Sequence, residues 1–397
     1  MTHPSFAALG LPERLCTTLA AAGHHTPTPV QVRAIPSLLA GRDLLGIAQT
    51  GTGKTAAFLL PILAARLAAG DRPERGGARA LIVAPTRELA AQVATAFDLY
   101  AAGTPLTRGV VVGGVPQGPQ VKRLARGVDV LVATPGRLLD LVDQGRCDLA
   151  QVETLVLDEA DRMLDLGFRR PIARIAALVG ADRRTAMFSA TMAPSIATLA
   201  GELLDDPVRV EVAAATVAVE RIAQRVHFLP QPAKRDFVLE LLADPELSRV
   251  ILFTRTKHGA ERLAQHLGRA EVAADAIHGD KTQNARDRAL HGFRQGRTRV
   301  LVATDVAARG IDVPAVSHVI NFDLPQDAET YIHRIGRTGR AGRDGVAVSF
   351  CTPEERGRLR EIEQLVGLDL GAGPARREVR APANRGGRRS SRSRRAA

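Results

Sequence analysis

Short apolar runs recur along this chain and repeat at a separation of 170 residues. Residues 81–83 align with residues 251–253, and residues 131–134 align with residues 301–304. Each run is followed by a pattern of helical periodicity, as a strand followed by a helix would be. The repeat predicts two domains of one architecture, which suits a chain of 397 residues.

The runs also indicate the class of the fold, because most are apolar at consecutive positions rather than at alternate ones. They lie at residues 43–48, 128–133, 154–158, 185–188, 249–253, 299–303 and 316–322. Strands that are apolar on both faces belong to parallel sheets covered by helices on both sides. We therefore expect an α/β fold, with a first domain at 1–212, a linker at 213–220 and a second domain at 221–370.

A glycine-rich loop at residues 48–55 has the residue types that bind phosphate. Gly51 and Gly53 allow backbone N–H groups to approach phosphate oxygens, and Lys54 can reach the β- and γ-phosphates. The Thr55 hydroxyl can ligate Mg²⁺. Ala48 stands where such loops often have Gly, and residues 220–370 contain no second loop of this kind.

An acidic pair follows about a hundred residues later, at the end of its own apolar run. Asp158 is placed to hold the same metal from a neighbouring strand, and Glu159 is free to orient or deprotonate the attacking water. The loop and the acidic pair together predict that the chain binds and hydrolyses a nucleoside triphosphate.

The positive charge is concentrated at the carboxyl end. Residues 371–397 hold nine Arg and one Glu, a balance of +8 within a net charge of +12. This segment lacks aromatic residues and is rich in Gly, Pro and Ser, so we predict a disordered basic tail that attracts polyphosphate. A solubilising extension is the alternative.

The three cysteines (Cys16, Cys147 and Cys351) are few and far apart, which favours reduced thiols and a cytoplasmic protein. No apolar stretch approaches the roughly 18 residues of a membrane span, and no secretory signal is visible at the amino end. We expect no membrane partner.

Besides the loop and the acidic pair, the chain contains further short motifs at residues 85–90 (PTRELA), 113–114 (GG), 134–137 (TPGR), 189–191 (SAT), 253–256 (FTRT), Gln283 with Arg286, 304–312 (TDVAARGID) and 333–340 (HRIGRTGR). With these motifs, the chain resembles the DEAD-box ATP-dependent RNA helicases over about residues 6–365, most closely the short bacterial members of the RNA helicase E type. The resemblance implies two tandem RecA-like domains and the cofactors ATP and Mg²⁺.

The resemblance also implies a set of nucleotide contacts. Gln31 matches the residue that recognises adenine, and a side-chain amide can donate and accept at once. Phe6 takes the place of an isolated upstream aromatic, whereas His24 departs from the family, in which Phe or Tyr stacks on the base. The remaining nucleotide contacts implied are Gln49, Thr50, Gly51, Thr52, Gly53, Lys54, Thr55 and Asp305.

In the second domain, Arg337 and Arg340 match arginines that reach the γ-phosphate across the interdomain cleft. Being three residues apart, they share a face if that segment is helical. Asp161, Ser189, Thr191 and His333 are implied to couple nucleotide state to RNA binding.

The RNA contacts implied by the resemblance are small, hydroxyl or basic residues, which suit a sugar–phosphate backbone rather than base edges. They are Arg87, Gly114, Thr134, Gly136 and Arg137 in the first domain and Thr254, Gly279, Gln283, Arg286 and Thr304 in the second.

Three functions remain open from the sequence. The first is an ATP-dependent RNA helicase that opens short duplexes or remodels ribonucleoprotein. The second is an ATP-dependent RNA clamp or RNA chaperone without productive unwinding. A DNA translocase is the third, which the RNA-type motif set disfavours. The sequence does not identify protein partners.

Overall fold

A computed structural model describes residues 4–49, 51–71, 73–180, 182–212, 222–308, 316–339 and 344–370. The chain divides into two compact units, Met1–Val217 and Ala218–Ala397. The predicted linker at 213–220 and tail at 371–397 lie outside the described residues, as do the predicted site residues Thr50 and Arg340. The exact domain boundaries therefore stay a prediction.

The first unit is built on a seven-stranded sheet in the order β3-β4-β2-β5-β6-β1-β7. Its strands are β1 (Leu44–Ile47), β2 (Ala78–Val83), β3 (Arg108–Val111), β4 (Val128–Ala133), β5 (Thr154–Leu157), β6 (Arg184–Ser189) and β7 (Val208–Glu211). Every pairing is parallel, so all the carboxyl ends lie at one edge of the sheet.

Nine helices of the described residues cover this sheet. They are α1 (Glu13–Ala21), α2 (Pro29–Leu39), α3 (Lys54–Ala69), α4 (Arg87–Tyr100), α5 (Gly118–Leu124), α6 (Pro135–Asp143), α7 (Ala160–Asp165), α8 (Arg169–Leu178) and α9 (Pro194–Leu203). Alternate strand residues enter two different cores: Ile82 packs with α1–α4, and Leu81 packs with α5–α9. Burial of both faces explains why the runs are continuously apolar.

The second unit contains a six-stranded parallel sheet in the order β10-β11-β9-β12-β13-β8. Its strands are β8 (Ile222–Phe228), β9 (Val250–Phe253), β10 (Ala274–Ile277), β11 (Val300–Ala303), β12 (His318–Asn321) and β13 (Gly345–Cys351). The aligned runs at 81–83 and 251–253 fall on β2 and β9, and those at 131–133 and 301–303 fall on β4 and β11. The internal repeat is thus a repeat of topology, and the predicted α/β fold is confirmed.

Helices also cover both faces of the second sheet. The helices of the described residues are α10 (Lys234–Leu242), α11 (Lys257–Arg269), α12 (Gln283–Arg294), the single turn α13 (Asp305–Ala308), α14 (Ala328–Ile335) and α15 (Arg356–Val366). The first two pack on one face, and α12, α14 and α15 pack on the other.

None of the helices found in the described part of the chain has both the length and the apolar character needed to cross a bilayer.

Gly46 provides a test of the packing beneath the glycine-rich loop. A Cβ added there would lie 2.6 Å from the ring of Phe188, which is fully buried. We expect Gly46→Ala to lower the free energy of unfolding by about 1–3 kcal/mol, because the ring has no space to move. Urea unfolding measures it. Gly201→Ala in α9, where a Cβ meets nothing within 4 Å, is the matched control and should be neutral or stabilising. Equal effects of the two substitutions would contradict the packing described.

Candidate active site

The glycine-rich loop connects β1 to α3, which begins at Lys54. Gly53 has φ 93°, and a Cβ on it would lie 2.4 Å from the Gln31 amide nitrogen, so the position requires glycine. The Lys54 ammonium is buried and donates to the Ala48 carbonyl at 2.8 Å. The Thr52 hydroxyl donates to the Gln49 carbonyl at 2.7 Å. The described residues of the loop thus lead into the amino end of α3, a place where backbone N–H groups favour an anion.

Gln31 ties the predicted adenine motif to this loop. Its amide oxygen accepts from the Thr28 N–H at 2.9 Å, and its amide nitrogen donates to the Gly53 carbonyl at 3.1 Å. An amide group has two donor hydrogens and two acceptor lone pairs. One of each is left after these two bonds, which is what an adenine edge requires.

The two predicted aromatic contacts lie in different surroundings. Phe6 is 5% exposed and belongs to the core that packs α1–α4. His24 is exposed, and its ring meets the Tyr100 ring edge-on at a centroid distance of 5.9 Å. Packing alone accounts for the burial of Phe6, so its role toward the nucleotide stays a prediction.

Asp158 directly follows β5 and is 2% exposed. Burial raises the pKa of its carboxyl to about 7; the charge of Lys54 opposes this rise, and that of Glu159 adds to it. Among the described residues, Oδ1 of Asp158 finds no hydrogen-bond partner. A buried carboxylate oxygen without a partner is costly unless a cation meets it. With the Thr55 hydroxyl in the first turn of α3, this oxygen fits a Mg²⁺ ligand.

Glu159 is held in a strained backbone conformation before α7. Its φ of 54° and ψ of 55° are left-handed, which costs a non-glycine residue about 1–3 kcal/mol. Its side chain is buried, and Oε2 accepts from the Arg162 guanidinium at 3.2 Å. The turn and the ion pair together fix the carboxylate next to Asp158.

The acidic box is joined to the segment that follows β6. Asp161 Oδ2 accepts from the Ala190 N–H at 3.0 Å. The fully buried Ser189 donates through its hydroxyl to the Thr191 carbonyl at 2.8 Å. Since β5, β6 and β1 are neighbours, three of the predicted coupling residues lie at the same sheet edge as the phosphate loop.

The predicted RNA contacts of the first unit gather at the other half of that edge. A Cβ on Gly114 would lie 2.7 Å from the Arg87 guanidinium, and the guanidinium of Arg137 donates to the Val115 carbonyl at 3.1 Å. Thr134 precedes α6, and Gly136 lies in its first turn with open space around it. These residues follow β2, β3 and β4, which are adjacent in the order β3-β4-β2.

The second unit repeats this placement. Thr254, Gly279 and Thr304 follow β9, β10 and β11, which are adjacent in the equivalent order β10-β11-β9. Gln283 begins α12, where its amide donates to Asp287 at 2.9 Å, and Arg286 lies one turn further on. The placement after equivalent strands is confirmed, whereas the contacts with RNA stay predictions.

Asp305 forms an ion pair that the sequence did not reveal. Nε and an Nη atom of Arg334 donate to its two carboxylate oxygens at 2.5 Å and 2.8 Å. Arg334 is 2% exposed and lies in the buried stripe of α14 that also contains Tyr331 and Ile335. The available signal was a charged residue in an apolar helical stripe, which demands a buried partner.

A common face for Arg337 and Arg340 was predicted only if their segment is helical, and the described residues after Ile335 do not meet that condition. Helix α14 ends at Ile335, and Gly336 begins a turn. Arg337 is 6% exposed, and its Nε donates back to the His333 carbonyl at 3.1 Å. Arg340 lies outside the described residues.

Two family models match this chain. The DEAD/DEAH box helicase model matches residues 28–199, and the helicase conserved C-terminal domain model matches residues 233–342. The ATP-dependent RNA helicase DBP2 of Candida albicans is 42% identical over 356 residues, which is 88% of this chain and 63% of that protein. The chain thus spans less than two thirds of the length of this relative.

Two solved structures with a similar fold are consistent with the family models. Dbp5 of S. cerevisiae bound to RNA and ADP BeF3 has a TM-score of 0.81 and 34% identity, covering 91% of this chain and 93% of that one. Mss116p bound to ssRNA and AMP-PNP has a TM-score of 0.83 and 28% identity, covering 93% and 79%. The fold consists of two tandem RecA-like domains. This chain belongs to the DEAD-box helicase family.

Asp158 makes stability depend on pH. Its pKa of about 7 lies above the ordinary value near 4 that it takes when unfolded, so between these values the folded state holds a proton that the unfolded state has released. Without metal or nucleotide, stability should therefore fall as pH rises through this window. Asp158→Asn should gain stability over the unaltered protein as pH rises from 5 to 8, by on the order of 1–4 kcal/mol.

Thermal unfolding at several pH values measures this difference. Asp98→Asn is the control of opposite sign, because a hydrogen bond from Arg108 lowers the pKa of Asp98. The exposed Asp98 pair contributes little, so this variant should not gain stability with rising pH. A pH-independent difference between Asp158→Asn and the unaltered protein would contradict the burial described.

Proposed function

We propose that this chain is an ATP-dependent RNA helicase that hydrolyses ATP with RNA stimulation and locally opens short RNA duplexes or remodels ribonucleoprotein. The observation that carries the proposal is the Asp158 oxygen, buried without a described partner, at the sheet edge that also holds the phosphate loop. Family membership supports it, as do two similar proteins solved with RNA and a nucleotide analogue.

Each part of the nucleotide has a proposed contact. Gln31 forms hydrogen bonds with the adenine edge, and Phe6 and His24 lie beside the base. Asp305 accepts a hydrogen bond from a ribose hydroxyl. Residues 49–53 and Lys54 bind the phosphates. Thr55 and Asp158 would hold Mg²⁺, which would neutralise phosphate charge there.

Three side chains are proposed to act directly in the hydrolysis of ATP. Glu159 orients the attacking water or takes its proton, and its fixed carboxylate beside Asp158 suits this role. Arg337 and Arg340 stabilise the charge that develops on the γ-phosphate, as arginine fingers do. Asp161, Ser189, Thr191 and His333 couple this chemistry to RNA binding, which the Asp161–Ala190 bond supports.

RNA binds along the residues that follow the three equivalent strands of each unit. Their hydroxyl, glycine and arginine character favours contact with phosphates and sugars, so the core is expected to bind without choosing a sequence. The 2′-hydroxyl is the group that distinguishes RNA from DNA at such contacts.

We also propose a cytoplasmic location, supported by the three free thiols of Cys16, Cys147 and Cys351.

Glu159→Gln separates binding from chemistry. The amide keeps the size of the side chain but cannot take a proton, so we expect Kd for ATP to change less than about threefold while RNA-stimulated turnover falls at least a hundredfold. Equilibrium binding of a fluorescent ATP analogue and phosphate release measure the two quantities. Lys54→Ala, which removes a charge that binds phosphate already in the ground state, should instead weaken ATP binding.

Near-normal turnover in Glu159→Gln would refute its assignment. If the unaltered protein hydrolyses ATP with RNA, stays on RNA for long periods with ATP and never separates strands over many turnovers, it is a clamp. Stronger stimulation by DNA than by RNA of the same sequence would favour a translocase.

The basic tail is proposed to add RNA affinity without adding selectivity, because arginines on a tail contact phosphates that every RNA shares. Deleting residues 371–397 should weaken RNA binding most at low salt and flatten the slope of log Kd against log salt. The maximal ATPase rate at saturating RNA should change less than about twofold, since the tail is proposed to act only on affinity. Binding titrations over a salt series measure the slope. An unchanged slope would make the tail a solubilising extension.

A further inference from the structure

Arg334 is among the largest fully buried side chains of the described residues, and its guanidinium is almost completely bonded. Besides the two bonds to Asp305, one Nη atom donates to the Asn321 amide oxygen at 3.2 Å and to the Asp323 carbonyl at 2.6 Å. The guanidinium carbon lies 5.0 Å from the centre of the Phe253 ring. Four of its five N–H directions are thereby used, and the group has one orientation available.

The ion pair is asymmetric in its surroundings. The Arg334 side chain is 2% exposed, whereas the Asp305 side chain is 28% exposed. The arginine is thus packed inside the unit, and the carboxylate is the end that solvent or a ligand can reach. Because the two N–H···O bonds are parallel, they fix the plane of the carboxylate as well as its position.

Asp305 keeps the capacity to bind a ligand despite this pairing. Each carboxylate oxygen has two lone pairs, and Arg334 occupies one on each. The remaining lone pairs accept hydrogen bonds only in the directions that the fixed plane allows. A diol whose two hydroxyls lie side by side, as on a ribose, matches such a pair of acceptors.

The groups that hold Arg334 are themselves held. Lys234 has no exposed surface, and its ammonium donates to the Phe322 carbonyl at 2.7 Å and to Glu355 at 3.1 Å. It also lies 3.5 Å from Oδ1 of Asp323, whose other oxygen accepts from the Arg255 N–H at 3.0 Å. The segment that carries the Asp323 carbonyl therefore cannot shift without breaking buried ion pairs.

We infer that Arg334 is a positioning residue for nucleotide selection: it holds the Asp305 carboxylate in the one plane that accepts a ribose hydroxyl. This inference rests on the proposed function, in which Asp305 contacts the ribose of ATP. It assigns to Arg334 the selection of ribose over deoxyribose nucleotides rather than a contact with the phosphates.

The test compares RNA-stimulated kcat/KM for ATP with that for 2′-deoxy-ATP and 3′-deoxy-ATP, using the full chain. The variants are Asp305→Ala, Arg334→Met, Arg334→Lys and the double variant Asp305→Ala/Arg334→Met. Arg66→Met is the matched control, because Arg66 is also a buried arginine (4% exposed) in ion pairs but lies in the first unit near Asp71 and Asp129. Loss of stability alone should act alike in both arginine variants.

We expect the unaltered protein to prefer ATP over at least one deoxy analogue by about tenfold or more, as hydrogen bonds to a charged group commonly give. Asp305→Ala should abolish this preference. Arg334→Met should lower the ratio of kcat/KM for ATP to that for the deoxy analogue until it lies within about threefold of the ratio in Asp305→Ala. The double variant should show no further loss. Arg334→Lys keeps the charge but lacks the planar fork, so it should restore less than half of the preference on a logarithmic scale. Arg66→Met should keep the full preference.

A preference that survives in both Arg334→Met and Arg334→Lys, while Asp305→Ala loses it, would overturn the positioning role and leave the proposed function intact. If Arg66→Met lost the preference for ATP to the same extent, the loss in Arg334→Met would be explained by lower stability, and the positioning role would be overturned as well. Failure of the proposed function would be seen differently, as an unaltered protein without RNA-stimulated turnover.

Discussion

Both sheets are parallel and buried on both faces, and this constraint places the acidic pair, the start of α3 and the proposed RNA contacts among the described residues. Parallel strands need crossover helices, so the chain leaves each strand at one edge and returns at the other. The segments after β1, β5 and β6 thereby meet in one half of the first sheet edge, and those after β2, β3 and β4 meet in the other. Fold and site are consequences of one pattern of buried strands.

Within each unit, the carboxylates of the proposed site are either held by a fixed partner or placed where a cation would stabilise them. Glu159 forms an ion pair with Arg162, and Asp305 forms one with Arg334, so these carboxylates have defined positions before a ligand binds. Asp158 differs, since one of its oxygens lacks a described partner and its pKa is raised to about 7. The difference separates residues that are held in place from the residue that fits a metal ion.

Much of this could be predicted from the sequence. The strands could be predicted because burial of both faces leaves continuous apolar runs. The loop at 48–55 could be predicted because phosphate binding restricts the residue types at fixed spacing. The role of Arg334 could not be predicted, because it depends on Asp305 and Asn321, which are distant in sequence and meet Arg334 only in the folded unit. The end of α14 before Arg337 depends on a turn at Gly336 that helical spacing alone does not reveal.

We propose that ATP hydrolysis drives the opening of RNA duplexes, and a strand-separation assay measures this opening. A short RNA duplex with a single-stranded extension, labelled so that separation changes its fluorescence, is incubated with the full chain and an excess of trap strand. We expect repeated strand separation with ATP and Mg²⁺, little with Glu159→Gln, and little on a DNA duplex of the same sequence. Strand separation that is equally fast without ATP or with Glu159→Gln, or that is absent while RNA-stimulated hydrolysis proceeds, would contradict it.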